Sequence, residues 1–191
     1  MSDYTVIHRV NVRLREVLLN GMTGEAAQYF DELDDIYVGS PLETAALQTK
    51  TLSVFLYQIT EDPYMKNRAP VQGSGDARLR MPPMALRFNY LITPVLGDPE
   101  GNALVLGKVL ETMYDFPSFT ITDPVTQQTE EVRAVFQTLT LSELAEVWEA
   151  LREPYRLSVA YELRVPRLES TRQMVAAPVG ESTHDFAEGA P

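Results

Sequence analysis

The chain has 191 residues, 45% of them hydrophobic and 23% charged, with a net charge of -11 and no cysteine. That length fits one domain with a tail and suffices for a sizeable core, and no apolar run approaches the roughly 18 to 20 residues of a membrane-spanning helix. The acid excess argues against nucleic acid as a partner, since phosphate neutralisation needs clustered Lys and Arg, and the lack of cysteine excludes disulfides, thiolate metal sites and a cysteine nucleophile.

Residues 1–19 mix His8, Arg9, Arg13, Arg15 and Glu16 with apolar positions. That mixture is unlike a signal peptide, so the expected location is the cytoplasm. Ile7, Val10, Leu14, Val17 and Leu18 recur at helical spacing and predict a first amphipathic helix ended by Gly21 and Gly24. Residues 24–47 are mixed and acidic, and read as a short helix followed by a loop around Gly39-Ser40-Pro41. Residues 51–60 are rich in β-branched and aromatic side chains and stop at Glu61-Asp62-Pro63, which predicts a central strand.

Residues 64–83 hold Gly73-Ser74-Gly75, several basic residues and prolines, and read as an exposed loop. Met84, Leu86, Phe88, Tyr90 and Ile92 then alternate with Ala85, Arg87, Asn89, Leu91 and Thr93 in a second strand ending near Pro94. Residues 97–102 have turn composition, and 103–114 predict a helix with Leu106, Val109, Leu110 and Met113 inward. An edge strand over 119–122 and a strand over 131–139 follow, the latter with poor alternation.

The strongest local signals lie between residues 138 and 168. Thr140 and Glu143 have the spacing of a capping box, in which the hydroxyl takes an orphan helix N–H while the carboxylate reaches back. Leu141, Leu144, Ala145, Trp148 and Leu151 form an apolar stripe, and Pro154 stops the helix. From there Leu157, Val159, Tyr161, Leu163 and Val165 alternate with polar or small residues as a strand with one buried face. The resulting expectation is an α/β (α+β) domain of two layers over residues 1–168, with a mixed sheet of about four or five strands and about three helices. Strands 51–60 and 84–94 would pair antiparallel, and strands joined through helices would run parallel. Residues 169–191 read as a polar tail, partly extended or disordered.

Chemical motifs are sparse. His8 and His184 are the only histidines, no H-E-x-x-H or G-x-S-x-G pattern occurs, and Gly73-Ser74-Gly75 lacks the Lys-Ser/Thr of a phosphate loop. The expectation is therefore a non-enzymatic chain with no catalytic, cofactor-binding or metal residues to assign. Two stretches are candidates for association. Tyr64, Lys66, Asn67 and Arg68 put a planar donor at the end of a strand, where Arg68 would either hold a partner carboxylate or cap its own loop. Leu168, Met174, Val175, Val179 and Phe186 make the tail apolar enough to lie across a neighbouring subunit, the alternative being an ordinary loose terminus.

Several blocks, taken in order, resemble a known family. They are Ser53-Val54-Phe55-Leu56-Tyr57-Gln58-Ile59 with Asn67-Arg68, then the run from Pro82-Pro83-Met84 to Ile92-Thr93-Pro94, and Leu106-Gly107. Leu141-Ser142-Glu143-Leu144, continuing to Trp148, leads to the last block, Pro154-Tyr155-Arg156-Leu157 with the strand up to Glu162. Together they are similar to the cap, or tail-terminator, family of extracellular contractile injection systems of the antifeeding-prophage and virulence-cassette type. The resemblance implies a structural protein of a phage-tail-like particle, a ring of six copies that ends the inner tube and sheath away from the baseplate. It also implies partners in the tube and sheath proteins, no cofactor, and assembly in the cytoplasm into a particle that can be released. The acidic region 24–43 and the short polar tail depart from the family pattern. Two other readings are a different tail or baseplate adaptor subunit, and a small enzyme with an unrecognised site, which would need a pocket of titratable groups with perturbed pKa values.

Overall fold

The structure is a computed structural model and describes residues 4–49, 51–64, 71–72, 78–80, 84–124, 127–168 and 173–175. Its elements are α1 (Val6–Gly21), β1 (Ile36–Tyr37), α2 (Pro41–Ala46), β2 (Leu52–Glu61), β3 (Val71–Gln72), β4 (Arg78–Arg80) and β5 (Met84–Pro94). They continue with α3 (Pro99–Asp115), β6 (Ser118–Thr122), β7 (Thr129–Gln137), α4 (Leu141–Leu151), β8 (Val159–Leu168) and β9 (Gln173–Val175). Short 3-10 turns at Gly24–Tyr29 and Leu33–Asp35 fill the acidic stretch after α1. The fold is mixed α/β, as expected, with more strands than the sequence pattern separated.

Six strands form the main sheet in the order β1-β2-β5-β8-β7-β6. The pairing of β2 with β5 is antiparallel, as expected. Of the strands joined through a helix, β1 and β2, on either side of α2, run parallel as expected, but β7 and β8, which flank α4, pair antiparallel, with Gln137 opposite Ala160. Only β1 and β2 run parallel among the described strands. The reason is geometric, because α4 leaves and rejoins the sheet at the same end, as a hairpin connection does, rather than crossing its length.

Alternation along the central strands gives the sheet two apolar faces. Phe88, Tyr90 and Ile92 of β5, Leu52 and Val54 of β2, and Tyr161 and Leu163 of β8 join the larger core beneath α1 and α3. The intervening Leu91 and Ala160 pack on the opposite side with Trp148 of α4. In α1 the buried stripe is Val6, Val10, Leu14, Val17 and Leu18, so Val6 takes the inward place expected of Ile7, which is 36% exposed. Tyr90 ties this helix down by donating its hydroxyl to Asn11 Oδ1 at 2.5 Å.

Four further expectations are corrected. The stretch at Gly39-Ser40-Pro41 opens α2 instead of forming a loop, because Ser40 and Glu43 make the same capping box as Thr140 and Glu143, with Pro41 in the first turn. Residues 97–102 are not all turn: Asp98 accepts from the Glu100 and Gly101 N–H groups at 3.1 and 2.8 Å, and α3 starts at Pro99. Within α3 the inward set is Val105, Leu106, Val109, Thr112 and Met113, while Leu110 faces out. Finally, β7 covers Thr129–Gln137 rather than 131–139, and β8 begins at Val159, leaving Leu157 exposed.

The region expected to be an exposed loop contributes two strands to a second sheet, of order β3-β4-β9. Arg78 stands opposite Val175, Leu79 opposite Met174 and Arg80 opposite Gln173. The tail thus returns to pair with the insertion between β2 and β5, at the end of the main sheet where Met84 faces Leu168.

Candidate interaction surface

The face of the sheet that carries α4 holds the most developed surface feature. Thr140 caps α4 as expected: its Oγ1 accepts from the Glu143 N–H at 3.3 Å, and Glu143 Oε2 accepts from the Thr140 N–H at 2.7 Å and its hydroxyl at 2.8 Å. At the other end Arg152 adopts the left-handed conformation, φ 57°, and closes the helix on the Glu149 and Trp148 carbonyls ahead of Pro154. Of the expected stripe only Trp148 is buried; Leu141 is 74% exposed and Ala145 is exposed too. Trp148 lies on Leu91 and Ala160 and meets Tyr155 edge-on at 6.1 Å. Leu144, Val147 and Leu151 pack half-buried around this anchor, and a groove of about 520 Å³ stays open between the helix and β2, lined by Phe55, Tyr57, Leu139, Val147 and Leu151, with the exposed Glu143 and Glu146 also lining it.

The electrostatics of this groove are negative and stable near neutral pH. Hydrogen bonds from the Thr140 N–H, and next from its hydroxyl, hold the Glu143 carboxyl below its usual range. Burial pushes the Tyr57 phenol up, and the nearby Glu143 and Glu162 charges add to the rise. Both shifts move the groups away from neutral pH, so neither is poised to exchange a proton there. Tyr57 remains a donor, and its hydroxyl bonds Gln137 Oε1 at 3.1 Å.

A polar ladder continues from this point. Gln137 Nε2 donates to Asn89 Oδ1 at 3.1 Å, and Asn89 Nδ2 donates to Gln58 Oε1 at 3.0 Å, linking β7, β5 and β2. Beyond it Arg87 sits between Asp62 at 3.1 Å and Glu162 at 3.4 Å, and Arg164 Nε donates to Glu162 Oε1 at 2.7 Å. Partial burial raises the Asp62 carboxyl, but the Tyr64 N–H and the Arg87 guanidinium outweigh it and leave the group below its ordinary value. The same face therefore passes from apolar under α4, through neutral polar, to charged at the end that leads into the second sheet.

Those of the expected association residues that are described fall around that charged end. Tyr64 is 88% exposed, with its ring 6.0 Å from Arg87 Cζ. Leu168 ends β8, and Met174 and Val175 lie in β9. Lys66, Asn67, Arg68 and Val179 lie outside the described residues. Sequence reasoning missed Arg87, Asn89, Glu162 and Gln137 as a set. Their one signal was polar identity at strand positions out of phase with the core, and that does not reveal which strands are neighbours. Among the described residues no group of three or more His, Asp or Glu is placed to hold a metal ion, and no helix is long and apolar enough to cross a membrane. His8 is exposed on α1.

Comparison with known proteins gives this surface a context. A family model described as the Pvc16 N-terminal domain matches residues 9–182. The chain belongs to that family. Two solved structures share the fold of this Pvc16-type domain. One is the sheath/tube terminator of the PVC extracellular contractile injection system in its extended state, with a TM-score of 0.64, 21% identity, and coverage of 100% of this chain and 66% of that one. The other is the tube-terminating cap of the anti-feeding prophage, with a TM-score of 0.55, 21% identity, and coverage of 95% and 61%. The Pvc16-type chain spans just under two thirds of the length of each. A search of curated protein sequences gave no significant match.

Proposed function

We propose that this chain is a structural cap subunit that ends the inner tube and sheath of a contractile, phage-tail-like particle, and that it works by fitting its neighbours rather than by catalysis. The observation that carries this reading is the family match over residues 9–182, on a fold shared with two terminators. In the proposed arrangement six copies close into a ring at the end away from the baseplate. One face of the ring continues the tube and sheath lattice, and the other offers no further acceptor, so growth stops by closure of the symmetry. Tyr64, Lys66, Asn67, Arg68, Leu168, Met174, Val175 and Val179 are proposed to serve contacts with neighbours, residues 1–168 forming the domain and 169–191 the tail. The particle is proposed to be assembled in the cell that makes it and then released.

The test is electron microscopy of particles from a strain lacking this chain. Tubes and sheaths of uncontrolled length, with baseplates present, are the expected result. Particles of ordinary length overturn the cap, and particles without baseplates point to an adaptor at the opposite end.

A further inference from the structure

Helix α3 is apolar on both sides. Its inward set packs on the larger core, yet Ala103, Leu104, Leu110 and Tyr114, which stand three, four or seven positions from Gly107 and so share its face, are all exposed, Tyr114 by 86%. A helix that is apolar all round belongs in a covered place. Gly107, at the centre of the outer face, points the same way. Glycine inside a helix costs stability relative to alanine, and the other glycines of α1 and α3 have internal reasons: a Cβ at Gly21 would overlap Thr112, and one at Gly101 would stand 2.7 Å from the Tyr29 hydroxyl. A Cβ at Gly107 would meet nothing within 4 Å. The fold of one copy thus gives no steric reason for this glycine, whereas a close-fitting neighbour does. Beside it a groove of about 730 Å³ runs between α3 and the 3-10 turn at Gly24–Tyr29, with Ala26, Ala103, Leu104 and Gly107 in its lining. Its rim carries the exposed Glu25, Glu100 and Glu111 against Lys108, which Glu111 already holds at 2.9 Å.

From this we infer that the α3 groove of one copy receives the loop that joins α4 to β8, residues 152–158, of a second copy, with Tyr155 and Leu157 on the apolar strip around Gly107 and Arg152 among the carboxylates. The occupant follows from charge and exposure. Two acidic α3 faces repel each other, so the groove does not pair with its own kind. The loop offers what the groove lacks. Arg152 is exposed and, among the described residues, has no ion-pair partner. Arg156 adds a second cation, shared with Glu153 at 3.6 Å. Leu157 is 59% exposed, and the exposed Tyr155 is braced edge-on against Trp148, so its position is set before any contact forms. Tyr and Arg are also the side chains that most often carry the energy of a protein contact. The main sheet lies between α3 and α4, so one copy does not fill its own groove. Unlike patches on opposite sides of a molecule make a heterologous, head-to-tail contact, which closes a ring when its rotation divides a full turn. The inference rests on the ring proposed above and names the surfaces that build it.

Two variants that damage opposite halves of the contact test it. Gly107→Gln fills the groove, and Arg152→Asn with Leu157→Ser strips the loop while leaving at 152 a residue that tolerates the left-handed conformation. Association is read as the mass of the full chain in solution and as the amount retained on purified tubes, with melting as the control for folding. Each variant alone should associate about tenfold or more weakly than wild type. An equimolar mixture should form a heterodimer with one copy of each and nothing larger, because the intact loop of the first fits the intact groove of the second and no further contact can follow. Gly107→Ala separates the glycine's place in the contact from a place in the fold. It should raise the melting temperature by about 2 °C, as alanine does at an open helix position, and still weaken association. A lower melting temperature for Gly107→Ala assigns the glycine to the chain's own packing and overturns the inference. So does wild-type association in either of the other variants, and so does a mixture without heterodimers. Tube length in the deletion strain is scored independently. Uncontrolled tubes without heterodimers remove this contact and leave the cap reading standing, while ordinary tubes with heterodimers do the reverse.

Discussion

Replacing Trp148 by Ala should detach α4 while the rest of the fold persists. Trp148 is the one buried residue of an 11-residue helix, 2% exposed, and rests on Leu91 and Ala160 of the central strands. Deleting a buried tryptophan side chain costs about 3–5 kcal/mol in transfer and cavity terms. A free helix of this length is marginal in water, so α4 has little stability of its own to set against that loss. The larger core, built from α1, α3 and the opposite sheet face, does not include Trp148. The loss should therefore show up as local opening. At ~1.4 kcal/mol per decade, amide protection across α4 should fall by about two to four orders of magnitude. Hydrogen exchange read by mass spectrometry on peptides covering 141–151, against peptides covering 86–92 and 160–164, measures the difference. The groove beside β2 should be lost along with the helix. Protection of α4 within tenfold of wild type would refute the single-anchor account, and so would a fall shared equally by the central strands.

Two further predictions use the same geometry. A Cβ added at Gly21 would overlap Thr112 Oγ1 and Cγ2 and stand 2.7 Å from Thr112 Cβ, where α1 ends against α3. Gly21→Ala should thus cost about 1–3 kcal/mol in urea denaturation, and Thr112→Gly in the same chain should recover part of it, whereas strictly additive losses would count against a steric cause. At the α4 cap, Thr140→Ala should cost about 1 kcal/mol, and Glu143→Gln should lower the melting temperature at pH 7. The Glu143 carboxyl titrates below its ordinary 4.5 in the folded chain, so its contribution is complete above that value and fades as pH falls through the folded pKa. The melting difference between wild type and Glu143→Gln should shrink on acidification, and a difference constant with pH would contradict the assignment.

Legibility in the sequence followed the range of the interaction responsible. The Thr140 cap, the α1 stripe and the strands at β2 and β5 were all readable, because a capping box spans four residues and periodicity needs only one element. The equivalent box at Ser40 and Glu43 is equally local, but Gly39 and Pro41 around it read as a loop; Pro in the first helical turn is compatible with a start. Leu110 and Leu141 lie on apolar stripes of helical spacing and are nonetheless exposed, because a stripe shows that one side of a helix is apolar but not how wide its contact is. The interaction surface was the least legible part. Arg87 and Glu162 are 75 residues apart, as Gln137 and Asn89 are 48 apart, and their meeting depends on strand order.

What the sequence determined by itself was an acidic, cysteine-free chain of alternating helices and strands without a recognisable reacting group, with block order resembling a tail terminator. These are properties of composition and of neighbours within about four residues, which backbone geometry converts directly into local structure. The tertiary structure alone decided that β7 and β8 pair antiparallel around α4, that residues 78–80 meet residues 173–175, and that a groove opens beside a helix whose one buried residue is a tryptophan. Each depends on which strand lies next to which. Local periodicity leaves that free, and it is fixed only when both apolar faces of one sheet must be covered at once.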